Sequence, residues 1–592
     1  MESALYQLLN TTRREIRSLE LEQGRYAEDI KCHLIVTPTD TSCGPSFEAL
    51  SYVWGTRTDP APTIRVDGQK IEVTNNLESA LRGLRYENQS RVLWVDALCI
   101  NQGDNVERSY QVRMMRSIYV RAHRVVVWLG SGGDELVMDF ILRVASDPKL
   151  HWFPRSADLS EIGETPHTLL GVFLFLKNPW WRRMWTAQET VVANDLIYVC
   201  GSTVFSDGTF KAVCDSFANH SRDCCSNRYH AFISWDSWIV IMADVQNLEN
   251  MRKKKSAFDF LEIASIHRQR GATDDRDKVY ALIGLTEGLD EGIINYDLPV
   301  FEAYEKLALE VIRKSNNLNV FNHVMQQSKF EFGKIPGTRK LASWAPNWAA
   351  KHEAWYFICV NRRYKLISLF NASGNSTPVI DHLSQGMLRI RGVDFDFIKD
   401  LGPILDTERD TSAFFKWRQI ADIDKNPEKP YVGGGSWLEA YWRTLCLDCR
   451  MAENATRFKN EDDRRSHDQW WWNMLLQRYG EKSPQEQNGK GDESTGFGAH
   501  AKTCTHRQRF FVSNKGYIGL VPPATELGDQ IFIFLGGKTP YVIRPQKEAS
   551  GNDKSPTEYH FIGEAYVHGL MDGEVMTMIE KGNVRFQDVL LR

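Results

Sequence analysis

The chain has 592 residues, of which 42% are hydrophobic and 25% charged, with a net charge of −4. That length exceeds a single hydrophobic core and implies two or three domains. The near-neutral balance gives no field that would gather nucleic acid or an anionic membrane over the whole surface.

Residues 1–29 read as a polar lead-in, followed by a weak strand at 32–36. A buried strand is predicted over 47–55, ended by Gly55. Two short β runs at 64–66 and 71–73 flank Asp67-Gly68, a strong signal for a tight hairpin. Leu77, Ala80, Leu81 and Leu84 fall at helical spacing. A short apolar strand at 92–95 then stops on Asp96. Asp104, with Glu107 three residues on, predicts a capping box opening the next helix. Tyr110, Met114, Met115, Ile118 and Ala122 give that helix one apolar face. Another strand at 125–129 closes on Gly130. Asn178-Pro179 is a cap and first-turn pair for a helix to about 193, and 196–199 is again strand-like. The alternation predicts an α/β domain over 30–205, with a mainly parallel sheet and flanking helices. Residues 206–479 read as mostly helical. Residues 480–500 are charged and glycine-rich, the composition of a flexible insertion. Short runs at 510–512, 517–520, 530–535 and 541–544, punctuated by glycine and proline, predict a small β-rich unit over 501–592, in the manner of a partial barrel.

The eleven cysteines are odd in number and scattered. Residues 1–10 lack the basic start and apolar run of a secretory signal, so reduced thiols in the cytosol or nucleus are expected, and a cytoplasmic location. The longest apolar stretches, 169–176 and 238–243, fall short of the roughly 20 residues of a spanning helix. No membrane span is expected.

Ligand-facing groups of open α/β sheets collect at the carboxyl ends of the strands. Ser51 and Asp96 sit near such ends, as pocket residues or, more simply, as caps of the adjacent turns. On the helix expected from 179 to 193, Trp181, Met184, Trp185, Gln188, Glu189 and Val192 share one face. A carboxylate there must be neutralised, hydrogen-bonded or cavity-lining, because an unpaired buried charge costs several kcal/mol, roughly. Glu189 is then either salt-bridged to Arg183 or another arginine, or a site acid in the cleft.

Cys446 and Cys449, with Cys504 and His506 downstream, have spacing and helical context that favour core packing over zinc. Cys224-Cys225 is no stronger, and no metal site is assigned. The basic run Arg252-Lys253-Lys254-Lys255 reads as a solvated face, and Trp470-Trp471-Trp472 as helix packing. No G-x-G-x-x-G, P-loop, G-x-S-x-G or H-E-x-x-H pattern occurs. Hydride transfer, nucleoside-triphosphate hydrolysis and the common serine hydrolases therefore lose support.

Three blocks together resemble the fungal heterokaryon-incompatibility (HET) domain. The first is Ala49-Leu50-Ser51-Tyr52-Val53-Trp54-Gly55. The second runs Trp94-Val95-Asp96-Ala97-Leu98-Cys99-Ile100-Asn101-Gln102 and continues through Glu107-Arg108 and Gln111-Val112 to Ile118-Tyr119 and Trp128-Leu129-Gly130. The third is Arg183-x-Trp185-x-x-Gln188-Glu189. The likeness covers about 47–200. The run from Arg276 to Leu285, Ser343-Trp344-Ala345-Pro346-Asn347-Trp348 and the run from Gly563 to Gly573 extend it to the large multi-domain members of that family.

The resemblance implies a role in fungal non-self recognition, with growth arrest and programmed death of fused cells. It also implies a TIR-like, flavodoxin-like sheet, since the HET domain is viewed as a distant relative of the TIR domain. NAD-cleaving TIR domains carry a glutamate on a helix, four residues after a tryptophan, and Trp185 and Glu189 have that spacing. On this implication Glu189 is catalytic, and Ser51, Trp54, Gly55, Asp96, Arg183 and Trp185 bind substrate. Breaking the nicotinamide–ribose bond develops oxocarbenium charge that a carboxylate stabilises. Main-chain N–H groups after Trp54-Gly55 would hold the diphosphate. NAD would be the substrate, with no resident cofactor and no metal. In the alternative, the domain acts by self-association or by binding a protein partner, without turnover.

Overall fold

The structure, a computed structural model, describes residues 5–39, 46–152, 166–222, 224–225, 235–254, 257–325, 340–383, 386–405, 411–450, 455–458, 462–478, 496–546 and 557–592. The chain divides into two compact units, 1–299 and 300–592.

In the first unit the elements run β1 (Glu15–Leu21), β2 (Lys31–Pro38), β3 (Glu48–Tyr52), β4 (Thr63–Val66), β5 (Gln69–Glu72), α1 (Asn75–Leu84), β6 (Arg91–Trp94), α2 (Asp96–Cys99), α3 (Asn105–Arg121), β7 (Arg124–Gly130), α4 (Glu135–Ser146), α5 (Pro166–Leu176), α6 (Thr186–Val191), β8 (Leu196–Cys200), β9 (Thr203–Ser206), α7 (Thr209–Arg222), α8 (Trp235–Lys254), α9 (Phe260–His267) and α10 (Asp277–Ile283). All nine strands form one sheet, ordered β5-β4-β2-β1-β6-β3-β7-β8-β9. The segment β6-β3-β7-β8 is parallel, with Ala49 opposite Trp94 and Ser51 opposite Val127. Its strands are short apolar runs, and β3 is buried along its whole length, as strands covered on both faces must be. Antiparallel pairs join β9 on one side and β1, β2 and β5 on the other. The sheet is therefore mixed, where the sequence predicts a mainly parallel one.

The polar lead-in expected at 1–29 contains β1, which pairs with β6 inside the sheet. Arg17 and Glu20 disguise it. Arg17 tolerates burial because its guanidinium donates to Glu107 Oε1 at 2.6 Å and to the Cys99 carbonyl at 3.2 Å. Asp104 caps α3, accepting from the N–H groups of Val106 and Glu107 at 2.9 and 3.1 Å. Glu107 does not close the capping box. Its carboxylate is taken by Arg17 and by the Asn101 N–H at 2.8 Å. The hairpin at Asp67-Gly68 forms as the sequence predicts, with both residues at positive φ (48° and 78°), as a two-residue turn of matching twist demands.

The helix expected over 179–193 is broken. Asn178 caps a 3-10 turn at Pro179–Arg182, accepting from the Trp180 N–H at 2.9 Å. Arg183 is extended, and α6 starts only at Thr186. The interruption is a bridge to a distant residue: the Met184 N–H donates to the Gly271 carbonyl at 2.8 Å.

The second unit runs α11 (Val300–Ser315), α12 (Ala354–Ile367), β10 (Ile380–His382), β11 (Leu388–Ile404), α13 (Ser412–Ile420), α14 (Trp437–Leu445), β12 (Cys449–Arg450), β13 (Thr456–Arg457), α15 (Asp462–Arg478), α16 (Phe497–Thr505), β14 (Arg509–Ser513), β15 (Ile518–Val521), β16 (Gln530–Phe534), β17 (Tyr541–Pro545), β18 (Glu558–Glu564), β19 (Tyr566–Val567), α17 (Glu574–Glu580) and β20 (Gln587–Leu591). The predicted C-terminal strands are present as β14 to β17. Strands β11, β16, β17, β18 and β20 pair successively into a closed ring, because β11 bonds both β20 and β16. The far half of β11 leaves the ring and pairs with β14. This 17-residue strand lies inside the region 206–479 read as mostly helical. Most of the insertion expected at 480–500 lies outside the described residues, and α16 begins within its end. Cys446, Cys449 and Cys504 are buried in one apolar cluster with Trp442, Phe497 and Phe510, the core-packing reading of that motif. Among the described residues no helix is long and apolar enough to cross a membrane.

Candidate functional site at the carboxyl edge of the sheet

The fourth residue of β3, Ser51, and the second residue after β6, Asp96, bring polar groups to one edge. Ser51 is 1% exposed, and its hydroxyl donates to Glu189 Oε2. The Ser51 hydroxyl oxygen in turn accepts from the Trp180 indole N–H at 2.8 Å. Trp180, from the 3-10 turn, thus fixes the direction in which Ser51 donates. Glu189, on α6, is 2% exposed. Burial pushes its carboxyl up to about 7, against the opposing pull of Arg183 and of the Ser51 hydrogen bond, and the neighbouring Asp96 adds to the rise.

Asp96 opens α2. Its carboxylate accepts from the Trp54 indole at 2.8 Å and from the Ala97 N–H at 2.8 Å, and also from the Tyr52 hydroxyl. Burial raises its pKa, and Arg183 opposes that rise most strongly. Arg183 is anchored by donating to the Tyr52 carbonyl at the end of β3. Its own carbonyl accepts from Arg270 at 3.2 Å and from the Thr186 hydroxyl at 2.7 Å. One cation therefore stands within the field of two carboxyls, and no salt bridge with direct contact joins Arg183 to Glu189 among the described residues. Trp54 is the open member of the group, 39% exposed.

The structure thus brings Ser51, Asp96, Glu189, Arg183 and Trp54 together. Two expected members behave differently. Trp185 immediately precedes α6, and its side chain bonds Asp277 rather than lying along a continuous face with Trp181. Gly55 takes φ +73° in the turn that leaves β3 and joins none of these hydrogen bonds among the described residues. Sequence reasoning missed Trp180 and Asp277. Asp277 is buried, its pKa is raised by burial to about 6, and it accepts from the Tyr296 hydroxyl. Arg108 lies over the Tyr296 ring, 3.7 Å from its centroid. The segment containing Arg276 and Asp277, noted only as a family marker, is the signal that pointed there. Behind this edge, the Gln188 amide lies 3.1 Å from the Ala281 carbonyl, between α6 and α10. Arg252 of the basic run bonds the Thr190 and Ala193 carbonyls at 2.9 and 2.5 Å.

Chemically, the group offers a carboxyl near half-ionisation at neutral pH, a second carboxyl, an oriented hydroxyl, a cation and an exposed indole. Such perturbed acids at a sheet edge mark functional sites, and structural networks share the signature.

Comparison with known proteins agrees with this layout. Residues 47–189 match the heterokaryon incompatibility protein (HET) family, a span that begins just before β3 and ends on Glu189. Residues 460–586 match the Het-6 beta-barrel domain family. The ring of the second unit extends that barrel at both ends, through β11 and β20. The chain is 26% identical to "Heterokaryon incompatibility protein 6, OR allele" of Neurospora crassa, over 96% of this chain and 95% of that one. No solved structure matches it. The chain accordingly carries one stretch that matches the heterokaryon incompatibility (HET) family and, later in sequence, one that matches the Het-6 beta-barrel domain family.

Proposed function

We propose that the protein acts in heterokaryon incompatibility, the role named for its Neurospora relative, and that its HET domain acts by cleaving the nicotinamide–ribose bond of NAD. The observation that carries this reading is the buried Ser51–Glu189 pair beside Arg183, with its carboxyl held near 7. The parallel strands support it. In chain order, β6-β3-β7-β8 reads 2-1-3-4, the order of flavodoxin-like sheets, which bind ligands at the strands' carboxyl ends near the first and third strands. Ser51 stands on that first strand.

In this mechanism the C1′–N bond breaks with its electron pair leaving on nicotinamide. Ionised Glu189 stabilises the positive ribose, and water adds to C1′ and loses a proton. Ser51 holds the carboxylate in place. Asp96 and Trp54 contact the ribose, Arg183 and the turn at Gly55 the diphosphate, and Trp185 borders the substrate. The 2% exposure of Glu189 favours a second reading. There the same group is a sealed polar core, and the domain signals by self-association or by binding a protein partner.

Nicotinamide release from NAD by the purified chain, both dilute and clustered on a scaffold, separates the two. For the enzyme, Glu189→Gln reduces release by at least about a hundredfold, the scale of losing one preorganised charge-stabilising group. Absence of release in both forms of the wild-type chain removes the enzymatic reading.

A further inference from the structure

A second cluster of reactive side chains lies away from the carboxyls, where the end of α7 meets the segment after α4. His220 occupies the last turn of α7, Cys224 and Cys225 follow it, and His151 follows α4. One ligand atom from each of the four lies within 4.8 Å of the other three. Cys224 Sγ is 3.1 Å from His220 Nδ1 and 3.2 Å from His151 Nδ1. Cys225 Sγ is 3.8 Å from His151 Nδ1, and the two sulfurs are 3.8 Å apart. A zinc tetrahedron with Zn–S of about 2.3 Å and Zn–N of about 2.0–2.1 Å has an S–S edge of about 3.8 Å and S–N edges of about 3.5 Å. The observed separations match the first and bracket the second.

The outer shell is also in place. His220 Nε2 lies 2.9 Å from the Pro148 carbonyl. That nitrogen carries the proton and donates it, which leaves the Nδ1 lone pair directed at the sulfurs. A ligating histidine is held this way by a carbonyl on its other nitrogen. The segment after α4 is also packed against α7. Buried Trp152, next to His151, donates to Ser216 of α7 at 3.1 Å and packs edge-on against Phe140 of α4 and Phe217 of α7. Adjacent cysteines lack the spacing that marks a zinc finger, and His151 precedes Cys224 by 73 residues. Only the fold unites the four.

We propose that His151, His220, Cys224 and Cys225 bind one zinc ion, which staples the segment after α4 to the end of α7. Four protein ligands leave no open position, so the ion is structural. Two thiolates and two imidazoles in a tetrahedron select zinc over the oxygen-seeking magnesium and calcium.

The test is elemental analysis of the full chain, purified from zinc-supplemented cells and dialysed against metal-free buffer. About one zinc per chain is expected, falling below about 0.1 in Cys224→Ser/Cys225→Ser and unchanged in Cys446→Ser/Cys449→Ser. Should the first double variant fail to fold, cobalt added to the chelator-stripped wild-type chain decides. Thiolate-to-cobalt charge-transfer bands with intense tetrahedral d–d bands support the site, and His220→Gln weakens them. Zinc retained by a folded Cys224→Ser/Cys225→Ser chain overturns the proposal. So does a wild-type chain that holds neither zinc nor cobalt in this form.

Discussion

Two carboxyls share the field of Arg183, and burial decides how each responds. Glu189 has a folded-state pKa of about 7 against an ordinary value of 4.5. The native state therefore holds this proton more tightly than the unfolded chain does. Its contribution to stability is complete below the unfolded value and is lost as pH rises from about 4.5 through 7. Glu189→Gln removes that loss. Denaturant melts should show the variant close to wild type at pH 4 and more stable at pH 8, by up to about 3 kcal/mol. Ser51→Ala acts oppositely on the same group. The hydroxyl lowers the Glu189 pKa by donating to the ionised form, so its loss moves the titration upward. If the site turns over NAD, the rising limb of its pH–rate profile shifts to higher pH in Ser51→Ala, and steady-state rates across pH 5–9 measure the shift. Ser51, Asp96 and Glu189 were legible in sequence because each interrupts an apolar strand end or helix face. Trp180 was not. Its indole resembles any other core tryptophan until the Ser51 oxygen is found beneath it. Asp277 lies too far along the chain for spacing to link it with Trp185.

At the scale of elements, α6 is only six residues long, and its position comes from its neighbours. Arg252 bonds the carbonyls of Thr190 and Ala193 and pairs with Asp207 at 2.9 Å. The basic run read as a solvated face is at this residue a cap for the helix that carries Glu189, where cations are favoured. Arg252→Ala should cost about 1–3 kcal/mol in chemical denaturation, since it strips charge-assisted bonds from the helix end. Helix α1 makes a different demand. A Cβ on Gly83 would lie 2.5 Å from the Trp128 ring on β7. Gly83→Ala should therefore destabilise by about 1–3 kcal/mol through overpacking, despite the better helix propensity of alanine. Periodicity foretold α1 well because all of its apolar contacts lie on one face. It failed at 179–193 because a hydrogen bond to Gly271 breaks the helix there, and no local pattern encodes a partner so distant.

For the whole molecule, each unit has a sheet of its own, and the division at 299/300 falls beyond the boundary at 205 that the alternation of strand and helix patterns suggests. The difference is physical. Arg252 of α8, and Arg270 and Gly271 between α9 and α10, hold α6 and the turn before it, so the first unit needs the chain beyond 205. Residues 1–299 expressed alone should give a cooperative thermal transition, whereas residues 1–205 should not; circular dichroism melts of the two fragments check this.

The barrel has a consequence for how the protein is made. Its ring closes only when β20 docks against β11, and everything from α13 to α17 intervenes. Pairing of such remote segments is slow, because loop-closure entropy is lost before contacts reward it. Until synthesis passes Leu591, β11 and β18 present unpaired edges that invite pairing with other chains. A nascent barrel of this topology depends on shielding as it leaves the ribosome.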